Sequence, residues 1–198
     1  MGMNVGPAER VEVAAALRGT LKQSGLTQAD FARHLGTSAT RLSTYLSGST
    51  IPSAAIYLRA LRLGAAFEHV RQQGLMTPDD AAAAVNRALV QGDEEFALRM
   101  ILQARDDLRA SGIEQDELRR VWDRRARLIE DDRLDTLFRV IVAHEFGGHA
   151  PGWAKDAQLD NDWIVPDPFR GADTIRALTP DWLARARIFI AEPGLVTA

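Results

Sequence analysis

The sequence predicts an all-α protein with two helical domains, residues 8–73 and 77–198. Helix caps and glycine stops recur along the chain, as in Thr77-Pro78-Asp79 before an apolar pattern and Gly92 after it. Apolar residues recur three and four positions apart, which is the spacing of a buried helix face. In addition, residues 27–48 have the spacing of two short helices joined by a tight turn.

The ends of the first two helices are indicated by their capping residues. A helix over residues 9–24 stops at Gly25. Thr27 caps the second helix, and Asp30 lies in its first turn. A carboxylate in the first turn interacts favourably with the positive end of the helix dipole. Gly36 follows the last turn of that helix, where the chain needs a left-handed conformation.

The third helix begins after Thr37 or Ser38, either of which can cap it. Its apolar residues have the i, i+3, i+4 spacing of a buried face, namely Leu42, Tyr45 and Leu46. The opposite face is short and polar and carries one cation. It consists of Ala39, Thr40, Arg41 and Thr44.

These residues, together with the following segment Ser47-Gly-Ser-Thr-Ile-Pro52, resemble the λ-repressor-like (Xre-type) helix-turn-helix family from Arg10 to about Phe67. The resemblance implies a five-helix domain whose third helix enters the major groove of double-stranded DNA. It implies base contacts by Ser38, Ala39, Thr40, Arg41 and Thr44. It implies phosphate contacts by Gln28, Ser47 and Ser49.

Arg41 is the residue we expect to read a guanine, because a guanidinium binds O6 and N7 together. Family members often carry longer amide side chains where Ala39 and Thr40 stand here. With fewer polar atoms at these positions, readout can rest on thymine methyl groups and DNA shape. Two other interpretations stay open: an ordinary helical hairpin in a core, or a helix-turn-helix that serves only as a protein-interaction module.

Composition limits the classes of protein. The chain has 198 residues, 46% hydrophobic content and no cysteine, so it can bury a core and has neither disulfides nor thiolate metal ligands. No signal-peptide pattern or membrane-length apolar run is present, and we expect a cytoplasmic protein that does not bind membranes. Residues 1–73 contain 8 Lys and Arg against 4 Asp and Glu, whereas residues 74–198 contain 16 against 23. The basic part is therefore the helix-turn-helix part.

Further helices are predicted over residues 52–73, broken near Gly64, and then over 78–91, 93–110, 114–129 and 131–146. In the helix over 114–129 the expected core stripe is Leu118, Val121, Trp122, Leu128 and Ile129. Arginines in and beside this stripe alternate with acids, which is typical of a solvated, ion-paired surface. They are Arg119, Arg120, Arg124, Arg125 and Arg127.

His144 and His149 bracket Glu145 in a pattern that resembles a zinc site, but five residues of helix separate two side chains by roughly 140°. Gly147 and Gly148 would also break a helix there, so a helix C-terminus is the favoured interpretation. A loop could still bring the two rings together. We expect no metal and no cofactor.

After Ala150, prolines and tryptophans indicate an ordered strap, followed by a helix from Pro180 and a short strand or buried end at residues 188–190. The strap either folds over the helices or forms a partner groove. Ala150-Pro-Gly-Trp153, Asp162-Trp163 and the Trp182–Ile190 ending resemble the C-terminal region of bacterial helix-turn-helix antitoxins. That resemblance implies a toxin partner bound through residues 77–198.

Taken together, the sequence predicts a DNA-binding transcriptional regulator, a repressor acting as a homodimer at a promoter. The alternative is an antitoxin that neutralises a partner protein and autoregulates its operon. An enzyme is not expected, because the sequence shows no paired carboxylates, no nucleophile with its base and no phosphate-binding loop at the spacing that a known catalytic motif requires. A small-molecule sensor stays open, although no ligand is indicated.

Overall fold

The computed structural model describes residues 6–111, 116–125 and 127–196, with the backbone alone at residues 116–118. These residues are predominantly helical, which confirms the all-α class. They form two compact units. The first contains the helices up to Gly74 and most of the helix Asp116–Trp122, and the second contains the remaining elements. The limits 8–73 and 77–198 stay a prediction.

Four helices precede Gly74: α1 (Pro7–Ser24), α2 (Gln28–Leu35), α3 (Ala39–Leu46) and α4 (Ala54–Gln72). The long helices α1 and α4 pack against each other, and α2 and α3 pack on them. Their shared core consists of fully or almost fully buried apolar side chains. It includes Leu17, Phe31, Leu35, Leu42, Tyr45, Leu63 and Phe67.

The break that the sequence predicts near Gly64 is wrong, because α4 is continuous through this residue. Residues 8–73 therefore contain four helices, and most of a fifth, Asp116–Trp122, belongs to the same compact unit. Gly64 is buried against α1, and a Cβ at this position would overlap Thr20 Cγ2 and lie 3.1 Å from Thr20 O. The glycine thus permits close approach of two helices rather than ending one.

In the second unit, α5 (Pro78–Val90) and α6 (Glu94–Ala110) form an antiparallel pair, and α8 (Asp132–Phe146) packs on α6. The boundaries agree with the predicted helices to within one or two residues. Thr77 and Asp80 form a capping box at the start of α5, and Asp93 caps α6. The shorter helices are α9 (Ala172–Ala177) and α10 (Asp181–Ala184).

The helix α7 (Asp116–Trp122) ends seven residues before the predicted limit of 129, and residues 114, 115 and 126 lie outside the described part. Beyond it, side chains replace helical carbonyls as partners of the backbone amides. Asp79 accepts from Arg127 N at 2.7 Å, and Asp135 accepts from Ile129 N at 3.1 Å. These two backbone amides therefore have hydrogen-bond partners without continuation of the helix.

The predicted core stripe of this region is only partly correct. Val121, Trp122 and Ile129 are buried, but Leu128 is 66% exposed. The side chain of Leu118 lies outside the described residues.

Arg125 departs from the predicted solvated surface. Its side chain is 3% exposed and forms an ion pair with Asp135 at 2.7 Å. The guanidinium also lies 4.7 Å from the ring centroid of Trp153, which supports a cation–π contact. Burial is tolerated because the charge is paired and covered by aromatic rings.

The C-terminal strap folds over the helices of its own unit. Trp153 donates through Nε1 to Trp122 O at 2.8 Å, and its carbonyl accepts from Arg139 on α8 at 2.9 Å. The strands β1 (Trp163–Ile164) and β2 (Ile188–Phe189) pair in parallel. The predicted short strand at residues 188–190 is thus present, with a partner that sequence spacing did not indicate.

The end of α8 follows the predicted pattern of a helix C-terminus. Gly147 has φ of 55°, and its amide donates to His144 O. The His144 ring stacks on Trp182 with centroids 4.1 Å apart and planes 6° from parallel. Among the described helices, none combines the length and the apolar composition needed to span a bilayer.

Candidate nucleic-acid interface

Local caps and a left-handed turn set the angle between α2 and α3. Thr27 Oγ1 accepts from Asp30 N at 3.2 Å at the start of α2. Gly36 ends α2 with φ of 72°, as predicted, and its amide donates to carbonyls of the last turn. Ser38, rather than Thr37, caps α3 by accepting from Arg41 N at 3.1 Å. The tight turn therefore follows from residues within the motif itself.

The two faces of α3 differ as the spacing predicts. Leu42 and Tyr45 are buried, with 0% and 3% exposure, and Leu46 is half-buried. On the opposite face Ser38, Ala39, Thr40 and Arg41 are exposed, and Thr44 is half-buried. Ser38, Ala39, Thr40 and Arg41 lie in the cap and first turn of α3, the part of a recognition helix that meets base edges in this type of motif.

Gln28 joins the start of α2 to the start of α3. Its Nε2 donates to Ala39 O at 3.2 Å, which fixes the side chain beside the exposed turn. One amide hydrogen remains for an acceptor outside the protein, because an amide nitrogen carries two. Gln28 is exposed, so this hydrogen is accessible beside the first turn of α3.

A run of hydroxyl contacts continues from α3 into the following loop. Thr44 Oγ1 donates to Arg41 O at 2.8 Å, and Ser47 Oγ donates to Thr44 O at 3.1 Å. Ser47 and Ser49 share a hydrogen bond of 2.8 Å between their hydroxyls. The structure thus brings together all the predicted contact residues. Their roles toward DNA stay predictions.

Two arginines of α1 hold the loop after α3 in place, and sequence reasoning missed both. Arg18 Nη1 donates to Leu46 O, and Arg10 Nη1 donates to Ser49 O at 3.5 Å. A guanidinium at a helix C-terminus donates a hydrogen bond to a carbonyl that has no partner within the helix. Its positive charge is also attracted by the negative end of the helix dipole. Their partners lie 28 and 39 residues away in sequence, so no local pattern reveals them.

Arginines of α4 act in the same way at two other helix ends. Arg59 Nη1 donates to Leu35 O at 2.9 Å at the end of α2, and Arg71 Nη2 donates to Gln23 O at 2.6 Å at the end of α1. Much of the positive charge in this unit is therefore committed to internal carbonyls. The charge itself is retained and still contributes to a positive potential.

Arg41 differs from these arginines. Through its side chain it makes neither a hydrogen bond nor an ion pair with any residue that the structure describes. By contrast, Arg33 on the neighbouring helix pairs with Asp30. Arg41 thus presents a full set of donors to the solvent beside the N-terminus of α3.

Comparison with known proteins agrees with this geometry. Residues 12–72 match the model of a family described as a helix-turn-helix domain. These residues are therefore a helix-turn-helix domain, consistent with the Xre-like DNA-binding type. The presence of this domain supports the general interpretation that the protein is a DNA-binding regulator. No curated protein and no solved structure matches the chain.

Proposed function

We propose that the protein is a sequence-specific transcriptional repressor that binds its operator as a homodimer, with α3 in the major groove. The observation that carries the proposal is the exposed Arg41 side chain, which has donors available in the first turn of α3. A guanidinium in this position suits bidentate contact with guanine O6 and N7. Such a contact discriminates against the wrong base by about 1–3 kcal/mol.

The other candidate residues divide by chemistry. Ala39 and Thr40 have methyl groups that suit the thymine methyl, while Ser38 and Thr44 have hydroxyls that suit bases of either kind. Gln28, Ser47 and Ser49 lie at the edges of this surface and suit phosphate contacts, which position the helix without reading sequence.

Dimerisation compensates for the small number of available cations. Four arginines of this unit have donors engaged by internal carbonyls, so few cationic side chains are left to contact phosphate directly, and residues 74–198 are acidic. Two protomers on a twofold-symmetric operator double the contacts. Their half-sites should lie about one helical turn of DNA apart. Occupation of a promoter by the dimer would then exclude polymerase.

The experiment begins with selection of binding sequences by the full chain from a random duplex pool. Fluorescence anisotropy on the selected DNA over a salt series then compares the wild type with Arg41→Ala and Arg41→Lys. Arg99→Ala is the matched control, because Arg99 is also an exposed helical arginine but lies on α6.

We expect Arg41→Ala to lose roughly tenfold to a hundredfold in affinity for the selected site. Arg41→Lys should keep the salt slope but lose the preference for guanine, since an ammonium cannot make the bidentate contact. Arg99→Ala should bind as the wild type does. A pool that shows no enriched sequence, or an Arg41→Ala variant with unchanged specificity, would contradict the proposal.

A second candidate function is that of an antitoxin, favoured by the charge of the C-terminal part. Residues 77–198 contain 16 Lys and Arg against 23 Asp and Glu, which suits a basic protein partner. Co-expression with the products of adjacent genes, followed by purification of the complex, tests this function. A basic protein that co-purifies in stoichiometric amount, and whose toxicity residues 77–198 suppress, would favour it over a repressor acting alone.

A further inference from the structure

One face of α1 carries Arg10, Ala14 and Arg18, which stand four residues apart and therefore lie in a line along the helix. The two arginines bind the chain that leaves α3. Arg18 Nη1 donates to Leu46 O, on the last residue of α3, and Arg10 Nη1 donates to Ser49 O at 3.5 Å. The loop after α3 thus runs along this face in the direction opposite to α1.

Gly48 lies between these two contacts and brings the loop close to α1. Its φ is 77°, a left-handed conformation that glycine adopts without strain. A Cβ on Gly48 would lie 3.5 Å from Arg10 O and 3.7 Å from Ala14 Cβ, so the backbone of the loop is in close approach to the helix. The loop is therefore seated on α1 at residues 46, 48 and 49.

Exposure alternates along the loop as this seating requires. Leu46 and Gly48 are half-buried, whereas Ser47 and Ser49 are exposed. The hydroxyls of Ser47 and Ser49 lie 2.8 Å apart, so both are on the outer side of the loop. A hydroxyl hydrogen rotates freely, and that of Ser49 can turn to a phosphate oxygen without movement of the backbone. The loop that α1 holds is thus the one that carries the predicted phosphate contacts.

The carbonyl that Arg18 binds is one that the helix itself leaves free. Leu46 O lies in the last turn of α3, where carbonyls have no partner within the helix. An earlier carbonyl, Ser43 O, accepts from Ser47 N at 3.0 Å. A hydrogen bond from a charged donor is stronger than one between neutral groups. Arg18 therefore fixes the end of α3 and the beginning of the loop together.

We propose that Arg18 is a positioning residue for DNA binding: it holds the loop so that the hydroxyls of Ser47 and Ser49 reach a phosphate, and it acts through the loop rather than by contacting DNA itself. The inference rests on the proposed function and adds a residue of α1 to it. A loop that is already fixed in its bound position loses little conformational entropy when DNA binds, which favours affinity. Phosphate contacts also set the register of α3 on the duplex.

Lys22 offers a matched control for the charge of Arg18. It lies four residues further along the same face of α1 and is likewise an exposed cation. Its side chain makes neither a hydrogen bond nor an ion pair with any residue in the described part of the chain. Loss of one positive charge is therefore common to Arg18→Ala and Lys22→Ala, whereas loss of the loop contact is particular to Arg18→Ala.

Amide hydrogen exchange of the full chain without DNA measures the effect on the loop. Arg18→Ala should speed exchange at Gly48 and Thr50, whose amides donate to carbonyls of α3, by about threefold to tenfold. Lys22→Ala should exchange at the wild-type rate. Both variants change exposed side chains, so folding should be preserved, and circular dichroism checks this. Unchanged exchange in Arg18→Ala would overturn the inference, because the arginine would then not hold the loop.

Fluorescence anisotropy on the selected DNA over a salt series measures the effect on binding. Arg18→Ala should lose about threefold to tenfold in affinity, as expected for the loss of one or two hydrogen bonds. Its salt slope should stay that of the wild type, since hydroxyl contacts do not neutralise phosphates. A slope lower by about one would give Arg18 a phosphate contact of its own and overturn the inference. Equal affinities and slopes of Arg18→Ala and Lys22→Ala would reduce the effect to charge, with the same consequence.

A double-mutant cycle shows whether Arg18 acts through the loop. Arg18→Ala is combined with Ser47→Ala and Ser49→Ala, which remove the two hydroxyls. If the arginine positions these hydroxyls, its removal should change affinity by less than about twofold once they are absent. A protein that is merely destabilised would bind more weakly in both backgrounds. Additive effects would therefore overturn the positioning role.

The same data separate this inference from the proposed function. Sequence-specific binding by the wild type, with wild-type affinity of Arg18→Ala, overturns the positioning role and leaves the repressor. Failure of the wild type to select any DNA sequence overturns the repressor and with it the role of Arg18 toward DNA. The exchange rates then still show whether Arg18 holds the loop.

Discussion

Gly64 on α4 lies against Thr20 on α1 with no space for a side chain between them. A Cβ on Gly64 would overlap Thr20 Cγ2 and lie 3.1 Å from the Thr20 carbonyl oxygen. Both residues are buried, and Thr20 Oγ1 is held by a hydrogen bond to Ala16 O at 3.0 Å. The close packing of the two long helices of the helix-turn-helix domain therefore depends on a glycine at this point.

Replacing Gly64 with alanine should lower the free energy of unfolding by about 1–3 kcal/mol, because the methyl group would force the helices apart. Gly19→Ala is the matched control: this exposed glycine is also helical, and a Cβ on it would meet nothing within 4 Å among the described residues. That change should raise stability by about 0.5–1 kcal/mol through helix propensity. Urea denaturation measures the change in unfolding free energy for both variants. A Gly64→Ala protein more stable than the wild type would disprove the close approach of the two helices.

The ion pair of Arg125 and Asp135 should be sensitive to loss of one partner. Arg125 is 3% exposed, so Asp135→Ala leaves its charge buried without a counter-ion and should cost about 3–5 kcal/mol. Glu95→Ala removes the partner of the exposed Arg99 and should cost less than about 1 kcal/mol. Thermal or chemical denaturation compares the two variants. Equal effects would show that Arg125 is hydrated in solution.

Asp131, which caps α8, should make the free energy of unfolding depend on pH. Burial raises the pKa of its carboxyl, but hydrogen bonds from Arg133 and from Leu134 N outweigh burial, and the pKa lies below its ordinary value of 3.8. Since the folded-state pKa is the lower one, the stabilisation is complete above the unfolded pKa and is lost as pH falls through the folded one. Asn caps equally well without titrating.

The difference in unfolding free energy between wild type and Asp131→Asn should therefore be larger at about pH 6 than at about pH 3. Urea titrations at both pH values measure it, with salt held constant because the contact with Arg133 is screened. A difference that is independent of pH would mean that Asp131 contributes only its cap hydrogen bonds.

Ser38 should have two separable roles, one in the cap of α3 and one at the DNA surface. Its Oγ accepts from Arg41 N at 3.1 Å, so Ser38→Ala should cost about 1 kcal/mol of stability. Ser38→Asp keeps the cap and favours the helix N-terminus, so the fold should be as stable as wild type.

Its negative charge should nevertheless weaken binding to selected DNA by repelling phosphate. Ser38→Asn supplies a cap without the charge and is the control. Anisotropy beside thermal denaturation distinguishes the roles. Normal DNA affinity of a stable Ser38→Asp protein would place this turn of α3 away from the DNA backbone.

Much of the helix-turn-helix domain could be predicted because its signals are local. Caps act between residues three apart, as in Ser38 and Arg41, and the left-handed turn at Gly36 depends on one residue. The apolar spacing of Leu42 and Tyr45 then decides which face of α3 is buried. Consequently the candidate contact surface follows from about twenty consecutive residues.

The errors occurred where a distant partner decides the conformation. Gly64 was expected to break a helix, but its neighbour on α1 makes it a packing site instead. Leu128 was expected in the core of a helix, yet amides of its segment bind Asp79 and Asp135. A periodic pattern predicts a helix only if no stronger hydrogen-bond partner is available, and sequence spacing does not reveal such partners.

The sequence by itself determined the all-α class, the ends of α2, α3, α5, α6 and α8, the turn between α2 and α3 and the outward face that carries Arg41. These features depend on backbone geometry and on contacts within a few residues. Only the tertiary structure decided that Arg10, Arg18, Arg59 and Arg71 bind carbonyls, that Arg125 is buried and that Phe169 is exposed. The reason is that a long cationic or aromatic side chain is equally compatible with several environments. Packing of residues far apart in sequence selects among them.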